Sequence, residues 1–268
     1  MTSIIRNAKS ASDWTQNELK GYHIVVSDTT PEEFFQTSAN PSLEHIKDVE
    51  IVLNTPLNTV LDPSVSKNAD QFLGYLDLAS DPTQESAIEL FAAAILNLLQ
   101  YVERNTLTVL RRDLSLFICG EQKSAQADVC LLRRPDWILL VSIESKIPEQ
   151  TEAQIVASAI AAFQYNNEKR KEARKPELEK MIIPCITMVG TRPTFYLVPV
   201  TAELDNAIKA GDYPVAETVV QKCDIKPTHT RNFSDSAEMN NLVYRKVALE
   251  RFLAFKTLAK SHWSKFIE

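Results

Sequence analysis

The sequence predicts an α/β protein: a mixed central β-sheet flanked by helices, with extra N-terminal elements and a long C-terminal helix. Three observations lead there. Trp137 to Ile143 is an almost unbroken apolar run, which suits a central strand covered on both faces. Ile88, Phe91, Ala92, Ile95, Leu99 and Val102 recur at helical spacing before it. A second helical pattern, from Thr151 to Lys171, follows it and leads into further β-rich runs. With 268 residues, the chain fits one large domain or a core with additions. We divide it into an N-terminal extension packed on the core (1–80), the core itself (81–200) and a C-terminal helical region (201–268).

Taken in order, Tyr22 to Val26 reads as a strand, and Thr30-Pro31 as a capped helix start. Asn, Pro and Ser crowd 54–68, which predicts a loop. Asp81-Pro82 supplies an N-cap and first-turn proline for the helix from Glu85 to Val102. Leu107 to Leu110 and Leu114 to Cys119 are strand-like, the second ending at Gly120. Asp128 to Leu132 and Trp137 to Lys146 read as two adjacent strands around the turn Arg133-Arg134-Pro135-Asp136. The following helix carries Ile155, Ala159, Ile160 and Phe163. Ile182 to Val189 and Thr194 to Val198 flank a hairpin turn, Gly190 to Pro193. From Asp235 to Trp263 the pattern is that of a long helix, packed on the core through residues such as Leu249, Phe252 and Leu258.

The chemistry concentrates around the central pair of strands. Paired as a hairpin, the start of the first lies beside the end of the second. That brings Asp128 next to Glu144 and Lys146, which share a face because they are two apart. Carboxylates are hard oxygen donors suited to Mg²⁺ or Mn²⁺. A lysine beside them can orient a water or steady charge on a phosphorane oxygen. The plainer alternative is a surface salt bridge at two strand ends. A Glu-x-Lys closing a buried strand argues against it, because buried charges need a partner or a metal.

Asp128 opening one strand and Glu144-x-Lys146 closing the next, within the order helix, three strands, helix, strands, resembles the PD-(D/E)XK nuclease superfamily with its restriction-endonuclease-like fold. The resemblance covers roughly residues 81–200. It implies catalysis by Asp128, Glu144 and Lys146, and a metal held by Asp128, Glu144 and the carbonyl of Ser145. It also implies a glutamate from the first core helix, Glu85 with Glu89 in reserve, and a substrate-orienting glutamine, Gln154. Ala127 stands where the family name has proline. Gln164 and Tyr165 are adjacent, so the Gln and Tyr four apart of the helicase-associated branch are absent. The Gly190-Thr191-x-Pro193 hairpin adds a likeness to a fungal branch of the same core.

Composition narrows the classes. No run of eighteen apolar residues is present, and the first residues lack a signal-peptide core. Four cysteines, Cys119, Cys130, Cys185 and Cys223, have no metal-ligand spacing and read as buried free thiols in a reducing compartment. Five glycines form no phosphate-binding or dinucleotide fingerprint. The net charge of −6 weighs against broad nucleic-acid affinity. Local clusters offset it: Arg111-Arg112, Arg133-Arg134 and Lys169 through Lys175, of which Lys169 and Arg170 are the substrate-contact candidates. No stacking aromatics are expected beside them. The expectation is an intracellular (cytoplasmic or nuclear) Mg²⁺-dependent nuclease, with Mn²⁺ as substitute. It acts on DNA in preference to RNA, without a membrane partner and with a homodimer allowed. The alternative is a nuclease-fold binding or effector module with little or no catalysis.

Overall fold

The computed structural model describes residues 7–36, 41–81, 86–144, 148–225 and 238–267. Its centre is a mixed seven-stranded sheet in the order β1-β7-β6-β5-β4-β3-β2. The strands are β1 (Ile24–Asp28), β2 (Thr106–Ile118), β3 (Glu121–Arg133), β4 (Trp137–Glu144), β5 (Lys180–Val189), β6 (Arg192–Thr201) and β7 (Thr218–Asp224). Only β1 with β7 and β4 with β5 run parallel; the other neighbours are antiparallel. Helices cover both faces. A 3₁₀ turn (Ala11–Asp13), α1 (Gln16–Gly21), α6 (Pro148–Glu172) and α7 (Ala202–Ala210) pack on one. On the other lie α2 (Pro31–Phe35), α3 (Val49–Asn54), α4 (Lys67–Ala79), α5 (Ser86–Leu98) and α8 (Leu242–Ile267).

Three expectations change. The two short strands expected at 107–110 and 114–119 are one strand, β2. The 201–268 region is not purely helical, because β7 joins the sheet from it. The N-terminal extension does more than pack on the core, since β1 adds an edge strand beside β7. The helix α4 begins inside the expected loop; Ser66 caps it, and Ala69, Phe72, Leu73, Leu76 and Ala79 form its buried stripe.

The β2–β3 hairpin explains the merged strand. Cys119 and Gly120 make a two-residue turn with φ of 50° and 76°, the left-handed pair that matches strand twist. Their N–H groups donate to Ile208 and Lys209 carbonyls at 2.9 and 2.8 Å, satisfying the C-terminal end of α7. Midway, Arg111 also has a left-handed φ of 50°. The faces switch there. Val109 and Leu114 pack into the same cluster although five residues apart, and so do Ala127 and Cys130, three apart. Strict alternation forbids both. The non-alternating step lies at Arg111 and at Asp128, bracketed by the pairs Leu110–Val129 and Arg112–Ala127.

The helix α6 is buried almost all round: Ala153 and every residue from Ile155 to Phe163 is sealed from solvent. Its small residues let strands β2, β4 and β5 approach on one side and the 3₁₀ turn and α1 on the other. Polar residues in its second half then find backbone partners, as burial demands. The Gln164 amide accepts from Phe117 N–H at 2.8 Å and donates to its carbonyl at 3.0 Å. Asn166 does the same for Ile138, both at 2.9 Å. That site adjoins a register shift between Leu131 and Leu132 in the β3–β4 ladder. On the opposite layer, buried Arg245 donates to the carbonyls of Val52, Thr55 and Met239, each at 2.7 Å, tying α8 to α3. Burial lowers its pKa to about 10, so it stays charged at neutral pH.

Asn166→Leu leaves the Ile138 N–H and carbonyl buried without partners. We expect a loss of about 2–3 kcal/mol in a urea unfolding titration, with an unchanged m-value. A loss below about 0.5 kcal/mol would mean that water replaces the amide.

Candidate functional site

The central pair forms, but β3 begins at Glu121, so Asp128 does not open its strand and is an interior position of it. β3 and β4 are antiparallel, with Val129 opposite Ser142. Asp128 therefore lies one residue, and Glu144 two residues, beyond the same cross-strand pair, where β4 ends and the β2–β3 hairpin continues. Asp128 is half-buried and sits at the face switch. Glu144 is the last residue of β4 and pairs with Met188 of the parallel strand β5. The side chain of Glu144, and all of Glu85, Ser145 and Lys146, lie outside the described residues. Gln154 is half-buried near the start of α6.

Glu89, the reserve for Glu85, has a defined partner. Both its carboxylate oxygens accept from Arg111 Nε, at 3.1 and 2.9 Å. Arg111 and Asp128 are the residues skipped between the Leu110–Val129 and Arg112–Ala127 pairs. The first core helix thus delivers a carboxylate to the motif end, already neutralised by a guanidinium. Asp128 and Glu144 carry hard oxygen donors on neighbouring strands, a type that suits Mg²⁺. Among the described residues no group of three His, Cys, Asp or Glu is placed to hold a metal.

A cavity of about 480 Å³ adjoins the end of β4, and sequence reasoning missed it. Met188 pairs with Glu144, and its neighbours Thr187 and Val189 line the cavity with Glu152 of α6, Arg192 and Tyr196 of β6, and Lys222 and Asp224 of β7. Lys222 Nζ lies 2.7 Å from Glu152, 3.4 Å from Asp224 and 3.7 Å from Asp28. Thr194 donates to Asp224 at 2.7 Å. Burial alone would lower the Lys222 pKa; the hydrogen bond to Glu152 and the charge of Asp224 outweigh it and hold the ammonium above its usual value. Burial pushes the Tyr196 hydroxyl well above its ordinary range. The signal was faint because Glu152 and Lys222 are 70 positions apart and meet only through the sheet.

Lys169 and Arg170 lie elsewhere. α6 starts beside the end of β4 and finishes beside its beginning, where Arg170 and Lys175 sit 5.3 Å from the centre of the Trp137 ring. At 1.5 Å per residue, Lys169 is roughly 30 Å along the helix from Pro148. The two substrate-contact candidates therefore lie far along α6 from Gln154. The expectation that no aromatics accompany the basic clusters is also corrected. Arg112 and Lys169 lie over Tyr165 at 5.3 and 5.5 Å, and Trp137 holds the other two cations. Trp137 is remote in sequence from Lys175, and the β3–β4 turn brings them together. Arg112 donates to the Tyr165 hydroxyl at 2.7 Å, and that hydroxyl donates to Asp136. Burial, with the bond to Asp136, raises Tyr165 to about 12.

No protein-family model and no curated protein matches this chain. No helix among the described residues is long and apolar enough to cross a membrane.

Lys222→Met tests the cavity's ion cluster. A raised lysine pKa in the folded state adds stability below the unfolded value near 10.4, and that stability fades as pH climbs through the folded value. We expect the variant to be about 1 kcal/mol less stable at pH 8. The gap to wild type should narrow above about pH 10.5, as read from thermal melts across pH 7–11.

Proposed function

We propose that this chain is a divalent-metal-dependent nuclease of the PD-(D/E)XK type, hydrolysing phosphodiester bonds in DNA in preference to RNA. One observation carries the reading: Asp128, inside β3, and Glu144, at the end of β4, lie one and two residues past the Val129–Ser142 pair of these antiparallel neighbours. The surrounding order supports it: α5, three antiparallel strands, α6, then β5 parallel to β4. In this reading Asp128, Glu144 and the Ser145 carbonyl hold Mg²⁺, with Mn²⁺ as substitute. The ion supplies Lewis acidity at the scissile phosphate. Lys146 positions the attacking water or offsets developing charge. Glu85 belongs to the same shell, with Glu89 in reserve; the Arg111 pair makes Glu89 a weaker donor than a free carboxylate. Gln154 orients the substrate.

The second reading is a nuclease-fold binding or effector module without catalysis. The net charge of −6 favours it, because an acidic protein must gather its nucleic-acid surface locally.

Two measurements decide between them. The first is digestion of single- and double-stranded DNA and RNA by purified protein with Mg²⁺ or Mn²⁺. We expect cleavage that Lys146→Ala abolishes with the thermal midpoint unchanged. Glu144→Ala should lose cleavage and weaken metal binding in calorimetry. No cleavage and no metal binding on any substrate points to the non-catalytic module; cleavage that survives both substitutions belongs to another site. The second is a crystal structure grown with Mn²⁺. The Asp128 and Glu144 carboxylates should converge within about 5 Å on one ion bound at about 2.1–2.2 Å. Carboxylates on opposite sheet faces would remove the assignment.

A further inference from the structure

The end of the sheet where β4 begins carries a feature that catalysis does not use. Residues 133–137 and 169–175 contain seven cations and two carboxylates, in a chain whose net charge is −6. Both carboxylates are already engaged: Asp136 takes Arg112 and Tyr165, and Glu172 takes Lys169 at 2.8 Å. Among the described residues Arg133, Arg134, Arg170, Arg174 and Lys175 form no ion pair. Unpaired cations crowded at one end repel one another, and most lone surface cations gain little from a fixed position. Here several are held in place. Arg170 and Lys175 both rest at 5.3 Å from the Trp137 ring centre. Arg170 Nε is also tied to the Pro176 carbonyl at 2.5 Å. Lys169 and Arg112 lie over Tyr165. The two rings act as seats that lower the entropy lost when these side chains meet a ligand.

We propose that this end is a backbone-binding platform for nucleic acid, separate from the Asp128–Glu144 pair. Its ligand rests on the nucleic-acid reading above, and its existence does not rest on catalysis. The geometry also sets how it binds. Trp137 and Tyr165 are only half-exposed, and their faces carry the protein's own cations. No ring is left free for base stacking, the interaction that gives single-strand binders their preference. The platform therefore contacts phosphates alone. It accepts duplex and single strand alike, and it does not read sequence. It lies roughly 30 Å from the start of α6, counted along the helix, and its Tyr165 side meets Arg112, which pairs with Ala127 next to Asp128.

The test is equilibrium binding of the full-length chain to a fluorescent 20-base-pair duplex and its single strand, in EDTA, across a salt series. Wild type should bind both with affinities within about threefold. The triple variant Arg134→Gln, Arg170→Gln, Lys175→Gln removes three of these cations, and its melting midpoint checks the fold. It should bind at least tenfold more weakly, with the slope of log K against log salt reduced by about 2–3. Trp137→Leu should weaken binding by unseating two cations, and Trp137→Phe should restore part of it. Wild-type affinity in the triple variant overturns the platform. So does a single-strand preference above tenfold, which would mean a free stacking face. So does triple-sensitive binding to phosphatidylserine vesicles without nucleic-acid binding, which would make the partner a membrane surface. Binding lost in the triple variant, with no cleavage in Mg²⁺ by wild type, sinks the catalytic reading and keeps the platform. Cleavage with unaltered binding in the triple variant does the reverse.

Discussion

Burial of α6 is the constraint on which the rest of the structure depends. A 25-residue helix with solvent excluded from nearly all of its first half cannot be amphipathic in the ordinary way. Ala153, Ala157, Ala159, Ala161 and Ala162 keep it thin enough for the sheet and the N-terminal segment to close around it. Its polar residues must then be satisfied inside. Gln164 and Asn166 bond the N–H and carbonyl of a strand residue each, which fixes β2 and the start of β4 against the helix. One rigid rod thus sets the positions of two ends of the sheet. Its beginning lies by Glu144 and the cavity, and its end carries the cations seated on Trp137 and Tyr165.

The second constraint is the face switch in the β2–β3 hairpin. A residue with a Cβ at positive φ costs roughly 1 kcal/mol or more, and Arg111 keeps that conformation in mid-strand. The gain is that the distal hairpin turns its apolar side toward α6. Leu114, Leu116, Ile118, Ala125 and Ala127 are buried there, and the tip caps α7. Asp128 lies at the twist. Irregular strand positions near sheet ends are where proteins re-aim side chains, and this one carries the carboxylate that the motif singles out. The Glu89–Arg111 pair braces the same point from α5.

How much was legible follows from how local each signal is. The apolar run of β4, the helical spacing of α5, α6 and α8, and the hairpin of β5 and β6 all come from near neighbours in the chain, so periodicity found them. The capping box at Thr30 and the glycine turn at Gly120 are equally local. β7 was readable too: Thr218, Val220 and Cys223 are buried around exposed Val219 and Gln221, but the tract is short and stands apart from the core. The broken alternation in β2 was written as two strands, because the Arg111 twist disrupts the period and nothing in Leu110-Arg111-Arg112-Asp113 announces a left-handed residue.

The sequence by itself determined the α/β class, the order of the core elements, and the antiparallel pairing that sets Asp128 near the end of β4. These depend on side-chain period and turn chemistry, which act over a few residues. Tertiary structure alone decided that β1 and β7 lengthen the sheet and that Glu152, Lys222 and Asp224 share a cavity. It also decided that the basic run after α6 stands a helix length away from the start of that helix, on a tryptophan from another element. The reason is physical. Which charges meet across a sheet depends on strand order and helix direction, and those follow from burying all the apolar faces at once.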